Sequence, residues 1–163
     1  MDIVEYAMQM EKDGEAYYRA LAQKADSQGM KRIFNMLANA EMKHYEAFRM
    51  LKDNKPSPLP IVDDKFLIDI KNVFQEISDN ESWQNISGDQ ADAYREARET
   101  ERKSEEFYRE QAEELDDPMQ QELCRVIAAE ERTHYRILDN ILELVSRPKE
   151  WLENAEWRHL EEY

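Results

Sequence analysis

At 163 residues the chain suits one domain with its own core, and its few Gly (three) and Pro (five) beside abundant Glu, Lys, Arg, Ala, Leu and Met favour long helices over sheet. A net charge of −15 argues against nucleic acid or an anionic membrane surface as a partner, since both require a basic patch. The single cysteine, Cys124, excludes an internal disulfide and any Cys-x-x-Cys metal site within the chain.

The first predicted helix runs from about 3 to 24, with Val4, Ala7, Glu11, Gly14, Tyr18, Leu21 and Ala25 on one stripe. Glu11 thus falls in the middle of a face that should meet the core. After a turn at 26–29, a second helix spans about 28–53, its stripe reading Met30, Ile33, Leu37, Glu41, His44, Phe48 and Leu51. Three prolines, Pro56, Pro58 and Pro60, end it. The stretch 55–90 reads as a long crossover linker containing one amphipathic piece, 66–77, and a polar stretch near 80–90.

A third long helix is expected over about 89–115, with Ala97, Glu101, Ser104, Tyr108, Ala112 and Leu115 aligned. Pro118 is placed to open the next, about 119–146, whose stripe is Leu123, Ile127, Glu131, His134, Leu138, Ile141 and Val145. Cys124 falls on an apolar stripe with Leu123 and Ile127 and reads as a buried structural thiol. The tail, 148–163, carries Trp151, Leu152, Trp157 and Leu160 and is expected to form a short packing helix or a subunit contact. No apolar run approaches about 18 residues, so the chain reads as cytoplasmic, without signal peptide or membrane span. The sequons at Asn80 and Asn85 then carry no meaning.

The two helix pairs repeat. Aligning 11–54 on 101–144 without a gap gives ten identities in 44 positions, among them Glu11 with Glu101, Glu15 with Glu105, Tyr18 with Tyr108, Glu41 with Glu131 and His44 with His134. A charged side chain on a core stripe costs several kcal/mol unless it is paired or bound to a cation. Here all four long helices would incur that cost. Glu and His three residues apart share a helix face, so both reach one interior point. A Glu from each of two helices plus Glu-x-x-His from each of the other two is the dimetal carboxylate arrangement of ferritin-like four-helix bundles. Four carboxylates match the charge of two divalent cations, and the donor set suits iron, with manganese or zinc as alternatives.

The segments around Met10-Glu11-Lys12-Asp13-Gly14-Glu15, Ala40-Glu41-Met42-Lys43-His44, Glu101-Arg102-Lys103-Ser104-Glu105 and Glu130-Glu131-Arg132-Thr133-His134 resemble the rubrerythrin branch of the ferritin-like diiron proteins. The likeness covers the four core helices and leaves the linker and the tail aside. It implies an all-α ferritin-like bundle of two hairpins, with Glu11 and Glu101 as terminal ligands. Glu41 and Glu131 would bridge or cap the metals, and His44 and His134 would supply one nitrogen each. Glu15 and Glu105 compete for the first role, but Glu11 and Glu101 fall on the stripe, seven residues before Tyr18 and Tyr108. Those tyrosines suit hydrogen bonding to ligand carboxylates as well as they suit core packing.

Two departures stand out. Full-length rubrerythrins carry paired Cys-x-x-Cys motifs in an electron-delivering rubredoxin module, which a chain with one cysteine lacks. They also place a further glutamate three residues after the helix-3 ligand, where this chain has Ser104. The resemblance therefore implies redox chemistry on hydrogen peroxide or O2, as a peroxidase or ferroxidase with a six-ligand site, supplied by an external donor such as a rubredoxin. A homodimer is expected. The rival readings are a non-catalytic iron-binding or buffering protein and a structural dimetal site within a dimer.

Overall fold

The computed structural model describes residues 2–55, 64–80 and 88–146. They form five helices: α1 (Ile3–Lys24), α2 (Gln28–Lys52), α3 (Asp64–Asn80), α4 (Gly88–Glu114) and α5 (Pro118–Ser146). α1 and α2 pack as one antiparallel hairpin and α4 and α5 as the other, while α3 lies against α2. The architecture is all-α, as the helical periodicity predicts.

Local chemistry sets the ends. Asp2 caps α1 by accepting from the Glu5 amide at 2.8 Å, and Ser27 caps α2 by accepting from Met30. Asp117 Oδ1 accepts from the Met119 and Gln120 amides, so that Pro118 sits at the first helical position, where its missing N–H is not needed. α2 closes with Asn54 in the left-handed region at φ 56°, while the Asn54 and Lys55 amides turn back to Leu51 and Met50. This is the double closure of a Schellman motif.

The core is divided in two. One apolar cluster joins Tyr18 and Leu21 of α1, Met30 to Ala38 of α2, Tyr94 and Ala97 of α4, Ile137 to Leu144 of α5, and the inner face of α3. The other joins Val4, Ala7, Ala47, Phe48, Tyr108, Ala112 and the start of α5 from Leu123 to Ala128. Between these two plugs every long helix contributes charged residues in place of apolar ones. The bundle therefore holds a polar layer closed at both ends by hydrocarbon.

The amphipathic piece expected at 66–77 is the middle of α3, which buries Ile70, Val73, Phe74 and Ile77. α3 is brought close to α2 because Gly29 has no side chain: a Cβ there would stand 2.4 Å from Ile77 Cγ1. The whole of the expected tail, 148–163, and the sequon at Asn85 lie outside the described residues. No described helix is long and apolar enough to cross a membrane.

Candidate metal centre

The expected ligand residues all turn inward. Glu11, Glu41, Glu101 and Glu131 are buried, and His44 and His134 have no exposed surface. They form two overlapping groups, Glu11, Glu41, His44 and Glu131, and Glu41, Glu101, Glu131 and His134. In each group the potential ligand atoms lie within 4.8 Å of one another. Glu41 and Glu131 belong to both groups; Glu15 and Glu105 belong to neither. Glu15 is half-buried beside Arg19, and Glu105 is buried but faces Arg109 and Arg132.

The 90-residue repeat reappears as a twofold relation between contacts. His44 Nδ1 stands 3.2 Å from Glu11 and 3.2 Å from Glu131; His134 Nδ1 stands 3.4 Å from Glu101 and 3.2 Å from Glu41. Each Nδ1 is 3.8 Å from the glutamate three residues earlier on its own helix. The two imidazoles are stacked, 5.8 Å apart and inclined by 15°. Tyr18 donates to Glu101, and Tyr108 donates to Glu11 at 2.5 Å. Each tyrosine therefore reaches across to the opposite hairpin. Burial and the neighbouring carboxylates hold both phenols well above 10, so they remain donors.

Four carboxylates in one buried layer cannot all keep their charge without cations. Burial, reinforced by Glu41, pushes Glu11 up to about 8, and burial with the other three carboxylates holds Glu131 well above its usual range. Burial opposes ionisation of Glu41 and Glu101 too, but hydrogen bonds and the facing His134 outweigh it and hold both below 4.5. Burial likewise disfavours the imidazolium form, yet Glu101 and Glu41 carry His134 up to about 10, and Glu11, Glu130 and Glu131 raise His44. Protons thus neutralise the layer. Two divalent cations would do so equally, with all four carboxylates ionised and both imidazoles neutral.

The donor set fits such a pair. Glu101 Oε2 is buried with no hydrogen-bond partner among the described residues, as expected of a ligand atom facing a cation site. Both Nδ1 atoms point into the cluster, leaving the Nε2 atoms outside. Carboxylate oxygen with imidazole nitrogen is a donor combination for first-row divalent metals. The cluster is consistent with a dimetal site.

The rubrerythrin family model matches residues 2–142, a span that includes every residue of this cluster. The chain belongs to the rubrerythrin family. In the comparisons with curated proteins and with solved structures, nothing matches it. Three residues after Glu101 on α4, Ser104 and its repeat mate Gly14 border a cavity of about 310 Å³ between α1 and α4. That cavity reaches Glu11, Glu41, Glu101 and Glu131. Gly14 keeps it open beside Glu41, since a Cβ at position 14 would lie 3.3 Å from Glu41 Oε2.

One polar residue of the layer escapes the sequence pattern. Glu130 is buried and accepts from His44 Nε2 on the outer side of the ring. Its repeat mate is Ala40, so a search for matched pairs passes over it. A signal exists in the helix period: Glu130 lies three residues after Ile127 and four before His134, at the edge of the buried stripe.

Proposed function

We propose that this rubrerythrin holds two iron ions and carries out redox chemistry with hydrogen peroxide or O2, as a peroxidase or ferroxidase. The observation that carries the reading is the pair of buried three-glutamate, one-histidine groups sharing Glu41 and Glu131. Glu11 with His44 would serve one ion, Glu101 with His134 the other, and Glu41 and Glu131 would be common to both. Iron bound there would supply two-electron chemistry, drawing on an external donor such as a rubredoxin.

The protein's own part is to position and to exclude. The crossed tyrosine bonds fix the orientation of Glu11 and Glu101, because a carboxylate held by a donor cannot swing freely. The two apolar plugs keep water from entering along the bundle axis, which strengthens the electrostatics inside. The cavity over Gly14 and Ser104 offers a small oxidant a lateral approach to the carboxylates. Where a further carboxylate could stand, Ser104 supports a fixed six-ligand arrangement.

The test is anaerobic loading with ferrous iron followed by addition of stoichiometric peroxide or of O2, monitored by absorption and by oxidant consumption. Rapid oxidation by either, with repeated turnover once a rubredoxin and its reductase are supplied, supports the reading. Bound iron that oxidises slowly with both and never turns over would reduce the protein to an iron-binding role.

A further inference from the structure

The twofold relation between the half-sites breaks on the outer side of the histidines. Position 130 carries a buried glutamate that accepts from His44 Nε2, while its repeat mate, position 40, carries alanine. His134 Nε2 is accordingly buried with no hydrogen-bond partner among the described residues. The carboxylate contacts of the two Nδ1 atoms agree to within 0.2 Å, at 3.2 and 3.4 Å to Glu11 and Glu101, 3.2 Å in both cases to the opposite shared glutamate, and 3.8 Å to their own. Among the polar contacts of the rings, the difference lies at the outer nitrogen.

That nitrogen matters to a metal held by the inner one. A carboxylate accepting from the outer N–H fixes the tautomer and the ring orientation and makes the inner nitrogen a better donor. Losing such a partner typically weakens metal binding by about 10- to 100-fold. His44 has this support. Among the described residues, the outer nitrogen of His134 has no such partner, and the Phe66 ring of α3 stands 6.4 Å from the imidazole, inclined by 43°. Ala40 and Phe66 also border a cavity of about 270 Å³ between α2 and α3, so space remains where a longer side chain at position 40 could extend.

Resting on the dimetal reading above, we propose that the two metal positions are inequivalent: the His44 position, anchored by Glu130, is tight and fills first, and the His134 position, with no such anchor among the described residues, is weak and exchanges first. Glu130 acts as a positioning residue, since it touches the histidine and acts on the metal through it. Sequential loading follows from the chain's own asymmetry.

The experiment is anaerobic titration of the full chain, stripped of metal, with cobalt(II), followed by its visible absorption and by calorimetry. Chelator-driven release from the loaded protein gives the reverse direction. Repulsion between two cations separates the steps even in a symmetric site, so variants decide. Glu130→Ala is expected to weaken the tighter step by about 10- to 100-fold, and Glu130→Gln, whose amide oxygen can accept the same hydrogen bond, to retain most of it. Ala40→Glu is expected to tighten the weaker step by a similar factor and to slow the fast phase of release, a gain that a merely structural role for position 130 would not produce.

Two steps unchanged by both Glu130→Ala and Ala40→Glu, in variants whose helicity and melting match the wild type, would overturn the proposal while leaving the dimetal site intact. Should Glu130→Ala fail to fold, Ala40→Glu and Glu130→Gln alone decide it by the same criteria. A wild-type chain that binds no cobalt and no iron would refute the dimetal reading, and this inference with it.

Discussion

Tyr108 of α4 donates its hydroxyl to Glu11 of α1 at 2.5 Å, joining the two hairpins through a carboxylate that belongs to the buried glutamate–histidine cluster. Tyr18 makes the reciprocal bond to Glu101. The crossing ties ligand orientation to hairpin docking, so a change at either tyrosine should register in both metal binding and stability.

Tyr108→Phe removes one donor and leaves a buried carboxyl oxygen short of a partner. The expected cost to the metal-free protein is about 1–3 kcal/mol. Metal affinity should fall by about 10-fold or more. Urea unfolding and chelator competition measure the two effects. An unchanged affinity would show that the phenol packs without orienting Glu11.

The protons held by the metal-free cluster make its stability depend on pH in a definite direction. Glu11, raised from 4.5 to about 8, and His134, raised from 6.5 to about 10, bind protons more tightly folded than unfolded. Their contribution is complete below 4.5 and 6.5 respectively and is lost as pH rises through 8 and 10. Glu41 and Glu101, held below 4.5, act oppositely, and their contribution is lost only as pH falls below that value. The melting temperature of the metal-free chain should therefore fall between about pH 6 and pH 9. Metal affinity should rise over the same interval because loading releases those protons. A metal-free chain that grows more stable toward pH 9 would contradict this charge assignment.

At the α2–α3 contact, Gly29→Ala places a methyl group 2.4 Å from Ile77 Cγ1 and 2.8 Å from its Cδ1. Relief requires α3 or Ile77 to shift, at an expected cost of about 1–3 kcal/mol. In an Ile77→Ala background the same methyl has room, so the double variant should be more stable than the sum of the single effects predicts. Thermal melts of the four proteins measure this coupling. Strict additivity would mean that α3 yields freely at this point.

Cys124 is buried, and burial pushes its thiol up to about 11. It should react with a disulfide reagent far more slowly in the folded chain at pH 8 than in denaturant. Equal rates would refute the view of it as a packed structural thiol.

Much of this arrangement was legible in the sequence because helices write burial as a period. Glu11, Glu41, Glu101 and Glu131 interrupt apolar stripes whose other members, such as Ile33, Leu37, Ile127 and Leu138, are fully buried. Since the repeat preserves that register, both halves of the cluster could be read together. The choice of Glu11 and Glu101 over Glu15 and Glu105 also followed from phase: one helical step moves the carboxylate off the inner face toward Arg19 or Arg109. Glu130 was harder, because an alternating identity test rewards symmetry and its role lies in breaking it. The full length of α3 was partly hidden as well, since its polar ends, Asp64 and Asn80, carry no apolar signal.

Whether the buried glutamates and histidines hold two metal ions is decided by metal analysis of anaerobically purified protein, before and after reloading with ferrous iron. Two irons per chain are expected, one for each of the overlapping groups, and both should be lost in the Glu41→Ala/Glu131→Ala variant, which removes both shared carboxylates. Wild-type protein that takes up less than about half an equivalent of any transition metal, unchanged by the double substitution, would contradict the match between donors and cations on which the account rests.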